Sequence, residues 1–140
     1  MKADLIGRYS TSNLGYTTLF RSSGTWKVAI SKSDAKEDVL AVSRHFLTDE
    51  SFVLIDGGGY LISAEIPESG KARFFVEKLK QGVVYNIPPE VWHAHRWDEK
   101  TSVLIIENTN TGSENSEEYI LSADEKSLLM ELLDGCSSPQ

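Results

Sequence analysis

Short runs of alternating apolar and polar residues, cut at roughly 8–12-residue spacing by turn formers, leave this chain little choice but a β-fold. Strands are expected at 16–21 and 25–31, on either side of Ser22-Ser23-Gly24, with Trp26, Val28 and Ile30 on one face of the second. Strands at 51–55 and 60–66 flank Asp56-Gly57-Gly58-Gly59, a strong turn signal, and Pro67-Glu68-Ser69-Gly70 turns the chain again. Others are expected at 73–80, 83–87, 91–97 and 102–108, and the polar stretch 109–118 reads as a mobile loop. The rhythm changes at Ser122-Ala123-Asp124-Glu125, a capping box in which a Ser and a Glu three residues later satisfy free amides at a helix start. Leu128, Leu129, Leu132 and Leu133 then recur at helical spacing, so a helix over about 122–134 should pack on the sheets. The expectation is one all-β domain over 1–140, closed by a single C-terminal helix and a flexible tail.

Composition narrows the partners. At 140 residues the chain can bury one proper core, and its 40% hydrophobic and 25% charged content is that of a soluble globular protein. The formal net charge is −7, with the 14 basic residues scattered. Nucleic acid and anionic membrane surfaces both require clustered Lys and Arg, so neither is expected as a partner. No stretch approaches the roughly 20 apolar residues of a membrane span, and the N-terminal residues lack the apolar run of a signal peptide. A cytoplasmic location is expected. The only cysteine, Cys136, makes no internal disulfide and reads as an incidental exposed thiol.

The chemistry-bearing residues fall on strands. Side chains two apart on a strand share a face, so His93 and His95 point the same way, as do Ser43 and His45. Glu50 begins a parity that Phe52 and Leu54 continue. Two imidazoles and a carboxylate inside an apolar barrel make a metal site of the facial-triad kind used by non-haem iron proteins. Spacing alone does not bring His45 and His93 together.

Two stretches resemble the paired signature motifs of the cupin superfamily. The first family pattern runs Gly, His-x-His, Glu, Gly, and this chain places Glu37, Ser43, His45, Glu50 and Gly57 at those positions. The second runs Gly, Pro-x-Gly, His, Asn, and this chain places Gly82, Pro88, Glu90, His93 and Trp97 there. Six of the ten positions match, and the spacings are kept. The resemblance spans roughly 26–108 and implies a jelly-roll barrel. It also implies a homodimer and a divalent transition metal (Fe, Mn, Ni or Zn) held by His45, Glu50 and His93, with His95 as a fourth ligand or acid–base group. Ser43 stands where the family has its first metal-binding His, and a hydroxyl is a poor ligand beside imidazole. Trp97 replaces a small polar residue facing the interior, which should narrow the cavity and make it more apolar. Glu37 and Glu90 replace glycines, changes expected to alter turns.

Two functional readings remain open from these residues. In one, the barrel is a metal-dependent enzyme acting on a small organic molecule by oxygenation, isomerisation or lyase chemistry, with His95 moving protons and Tyr85 or Trp97 shaping the pocket. In the other, it is a metal-free, non-catalytic barrel that binds a ligand or serves assembly, its His and Glu residues merely paired with each other. Other motifs read as structure. Trp26, Trp92 and Trp97 are expected in the core, with Trp92 on the face opposite His93. Asp56-Gly57-Gly58-Gly59 leads into a strand rather than a helix, so it offers no phosphate site. Ser43 and His45 lack the elbow and third member of a hydrolase triad. Glu114, Glu117 and Glu118 read as a solvated acidic loop.

Overall fold

The structure, a computed structural model, describes residues 5–137. Ten strands alternate down the chain: β1 (Gly15–Arg21), β2 (Trp26–Ser33), β3 (Ala41–His45), β4 (Glu50–Asp56), β5 (Gly59–Glu65), β6 (Arg73–Lys78), β7 (Val84–Ile87), β8 (Trp92–Trp97), β9 (Thr101–Asn108) and β10 (Ser116–Ile120). A 3-10 turn at Ser113–Asn115 precedes β10, and helix α1 (Ala123–Ser137) follows it. The strands form two five-stranded antiparallel sheets, ordered β1-β2-β9-β4-β7 and β10-β3-β8-β5-β6. This is the all-β domain that the turn rhythm predicts, with the one C-terminal helix that the capping box predicts. Among the described residues, no helix is long and apolar enough to cross a membrane.

Strand alternation builds two cores, one on each face of the second sheet. Between the sheets, Ala29, Phe52, Leu54 and Ile105 from the first meet Leu61 and Trp97 from the second. On the far face of the second sheet, Val42, Ile62, Phe74 and Trp92 pack against Leu129 and Leu133 of α1. Each fully buried leucine of this kind contributes about 1.5–3 kcal/mol over an exposed one. The capping box forms as expected: Glu125 N donates to Ser122 Oγ, and Ser122 N donates to Glu125 Oε1. The tight turn after β4 needs its glycines. Gly57 has φ +84°, and a Cβ on Gly59 would lie 2.6 Å from Arg96 O and 2.8 Å from Trp97 Cα, which closes β5 against β8.

Three expectations are corrected. Residues 109–118 are not all loop, because β10 begins at Ser116 and pairs along the whole of β3, from Ser116↔His45 to Ile120↔Ala41. Its polar sequence hides it, since an edge strand needs only one apolar contact face. Trp26 is 48% exposed rather than core, because β2 turns Lys27, Ala29 and Ser31 inward. Leu128 and Leu132 are exposed, while Leu129 and Leu133 are buried, so α1 docks by one narrow stripe.

Candidate functional site

One end of the barrel interior is filled and the other is open. Phe52 and Trp97 pack edge to face in the filled part, with Trp97 Nε1 donating to Ser31 Oγ at 2.9 Å. Trp97 does face the interior, as its parity predicts. The open end is a cavity of about 470 Å³, and its walls mix charged groups with apolar ones. His45, Glu50 and His93 all line it.

Their convergence comes from strand pairing. Ser43 on β3 is the cross-strand partner of His93 on β8, and His45 lies two residues further along the same face. Residues 46–49 then carry the chain to the facing sheet, where Glu50 starts β4. The turn before β8 is tied to the end of β3, with Glu90 N donating to His45 O at 2.6 Å. Glu90 adopts φ +71°, so a left-handed turn forms at this position without a glycine.

The three side chains place one ligating atom each within 4.8 Å of one another. Glu50 Oε2 lies 2.6 Å from His45 Nε2 and 3.5 Å from His93 Nε2. The outer ring nitrogens are committed elsewhere. His93 Nδ1 donates to Val91 O at 2.9 Å. Ser116 Oγ gives its proton to Gly112 O at 2.6 Å, so it accepts from His45 Nδ1, also at 2.6 Å. Both imidazoles therefore turn Nε2 toward the same carboxylate oxygen. In their neutral forms these nitrogens would face that oxygen lone pair to lone pair. A proton or a metal cation must lie between them.

Electrostatics reflect this. Burial pushes Glu50 up, but hydrogen bonds from His45 and His93 more than offset it and hold the carboxyl at about 2. Burial pushes His93 down, and the Glu50 bond and charge overcome it to raise its pKa. His95 lines the same cavity, open to its solvent, and stacks on Trp97 with centroids 4.2 Å apart. The protein around it pushes its pKa down, against the attraction of Glu50. The group that converges is His45, Glu50 and His93; His95 stands beside it.

Four cavity or support residues escaped the sequence reading. Ser116, which fixes His45, sits in the polar stretch 109–118, whose composition is that of a loop. Tyr16, Lys27 and Glu107 form a second polar centre on the first sheet. The available signal was Lys27, a charge at every-other spacing with Ala29 and Ser31, but the apolar set Trp26, Val28 and Ile30 made the opposite face look like the inner one.

No protein-family model matches the chain, and no curated protein matches it. Solved structures do. A Streptomyces Pac13 variant with uridine superposes with a TM-score of 0.59 at 7% identity, covering 89% of this chain and 98% of that one; Pac13 is described as a nucleoside dehydratase. The capsular polysaccharide assembling protein CapF of Staphylococcus aureus superposes at 0.53 and 16% identity, over 83% of this chain and 32% of that one. An RmlC-like cupin from Desulfovibrio desulfuricans gives 0.48 at 16% identity, over 77% and 96%. Strand order and the two stronger superpositions show the cupin fold that the paired motifs resemble. Fold by itself does not fix activity.

Proposed function

We propose that this cupin barrel holds a divalent transition metal at His45, Glu50 and His93 and binds or acts on a small organic molecule in the cavity beside it. The observation that carries this is the pair of Nε2 atoms aimed at one Glu50 oxygen, with each Nδ1 tied to an outer partner. Metal-ligating histidines are oriented in this way, the outer N–H fixing the tautomer and leaving the inner lone pair for the metal. Two imidazoles and a carboxylate suit iron, manganese, nickel or zinc. Ser43, in place of a further imidazole, leaves positions open for a ligand. When bound, such a metal supplies a Lewis acid able to polarise an oxygen of the ligand.

The remaining work falls to the chain. Phe52 stands edge-on to His93 and supplies an apolar wall beside it. Ser116 and the Val91 carbonyl hold the two rings in place. His95, stacked on Trp97 at the cavity wall, is placed to exchange a proton with a molecule in the cavity.

A second reading is favoured by the 2.6 Å contact between His45 and Glu50. Two ligands of one metal ion, each about 2.0–2.1 Å from it, stand roughly 3 Å or more apart. A metal-free imidazolium–carboxylate cluster fits the shorter distance directly. The fold likeness to Pac13, a nucleoside dehydratase crystallised with uridine, supports a small-molecule role under either reading. Elemental analysis of protein purified without chelator or affinity tag decides between them. Near-stoichiometric metal, lost in the His45→Ala, His93→Ala double variant, supports the first. No metal in either protein, even after loading, refutes it and leaves the metal-free cluster.

A further inference from the structure

The cavity has a second polar centre that the histidine cluster does not use. Lys27, Glu107 and Glu50 stand in one row across three adjacent strands. Lys27 is the cross-strand partner of Glu107, and Glu107 is that of Glu50. Lys27 and Glu107 are only 5% and 7% exposed. A buried ion pair is no gain in stability over well-packed apolar residues, so packing does not explain it.

The contacts within this centre are uneven. Tyr16 OH donates a short bond to Glu107 Oε1. Lys27 Nζ lies 3.6 Å from the same oxygen and donates to Thr111 O at 3.4 Å, both long contacts. Glu107 Oε2 has no protein partner among the described residues. It keeps contact with the cavity, since among the described residues the buried side-chain polar atom without a partner is Arg96 Nε. Tyr16, Lys27 and Glu107 all line the cavity, which leaves a carboxylate oxygen and an ammonium group facing whatever enters it.

We propose that Lys27 and Glu107, with Tyr16 as a positioning residue, form a subsite for a neutral vicinal diol such as a sugar ring carries. One hydroxyl donates to Glu107 Oε2, and its neighbour accepts from Lys27 Nζ. A hydroxyl both donates and accepts, so two adjacent ones match an adjacent acceptor and donor. Asp38, Glu50 and Glu107 line the cavity with Lys27, and the proton or metal between Glu50 and the two imidazoles offsets part of their charge, so the nearly balanced wall suits a neutral ligand. A volume of about 470 Å³ admits a molecule of monosaccharide or nucleoside size. The proposal rests on reading the cavity as a small-molecule site, and does not require the metal.

Calorimetric titration of the full chain with uridine and methyl ribofuranoside, beside 2′-deoxyuridine and methyl 2-deoxyribofuranoside, tests it. At least one diol should bind, with its deoxy counterpart about tenfold weaker or worse. Glu107→Gln and Lys27→Met should each lose about tenfold while metal content stays at the wild-type level. Tyr16→Phe, at a half-exposed position, should weaken binding a few-fold and keep the fold. Absence of binding by both diols, equal binding of diol and deoxy compounds, or wild-type affinity in the folded variants overturns the subsite. Should Glu107→Gln or Lys27→Met fail to fold, the deoxy comparison on wild type and the Tyr16→Phe titration decide it alone. Diol binding by protein stripped of metal supports the subsite, and the metal content of the untreated protein tests the metal centre separately.

Discussion

Replacing Glu50 with Gln should change stability by an amount that rises and falls with pH. The contributing groups are Glu50, held at about 2 by His45 and His93, and His93, raised by Glu50. Each tenfold change in proton affinity is worth about 1.4 kcal/mol, so the drop of Glu50 from 4.5 to about 2 corresponds to about 3 kcal/mol. Glu50 has a depressed folded-state pKa, so its contribution is complete above 4.5 and is lost as pH falls through about 2. By pH 3 more than half of it should be gone. His93 has a raised folded-state pKa, so its contribution is complete below 6.5 and is lost as pH rises through the higher value. The two windows overlap between 4.5 and 6.5. Urea unfolding in the presence of chelator, for wild type and Glu50→Gln across pH 3 to 9, measures the difference. A plateau of about 3 kcal/mol near pH 5.5, falling on both sides, is expected. A difference that is the same at every pH would falsify the coupling of Glu50 to the two imidazoles.

Two further substitutions test the scaffold. Glu90→Gly should raise stability by about 0.5–1 kcal/mol, seen as a melting temperature a few degrees higher, because φ +71° strains any residue with a Cβ. A lower melting temperature would mean that the Glu90 side chain stabilises the turn in some other way. Leu133→Ala should cost about 2–5 kcal/mol and Leu132→Ala no more than about 0.5 kcal/mol, by chemical denaturation, since the first is fully buried under the sheet and the second is 37% exposed. Equal costs would show that α1 does not dock through the stripe described.

The legible part of the fold was local. Turn chemistry at Asp56-Gly57-Gly58-Gly59 and the capping box at Ser122 depend on residues a few positions apart, and both formed as expected. β10 was missed for the opposite reason. Ser116 to Ile120 is a strand only because β3 lies beside it, and nothing within the segment records that neighbour. The same holds for Leu128 and Leu132, whose helical spacing is real but whose side of α1 faces solvent.

At the site, the residues His45, Glu50 and His93 were readable because the spacing of two motifs survived the loss of the first His. Their meeting within 4.8 Å came from the register of β3 on β8 and the crossing to β4. Strand period is a property of the backbone and can be read from the order of residues. Which face looks inward is not, because it depends on what the facing sheet places there. The sequence therefore determined that this chain would be a barrel with one helix and two separated imidazoles. Tertiary structure decided that Lys27 and Glu107 would share the interior with them, since only the closed barrel puts the polar face of β2 inside.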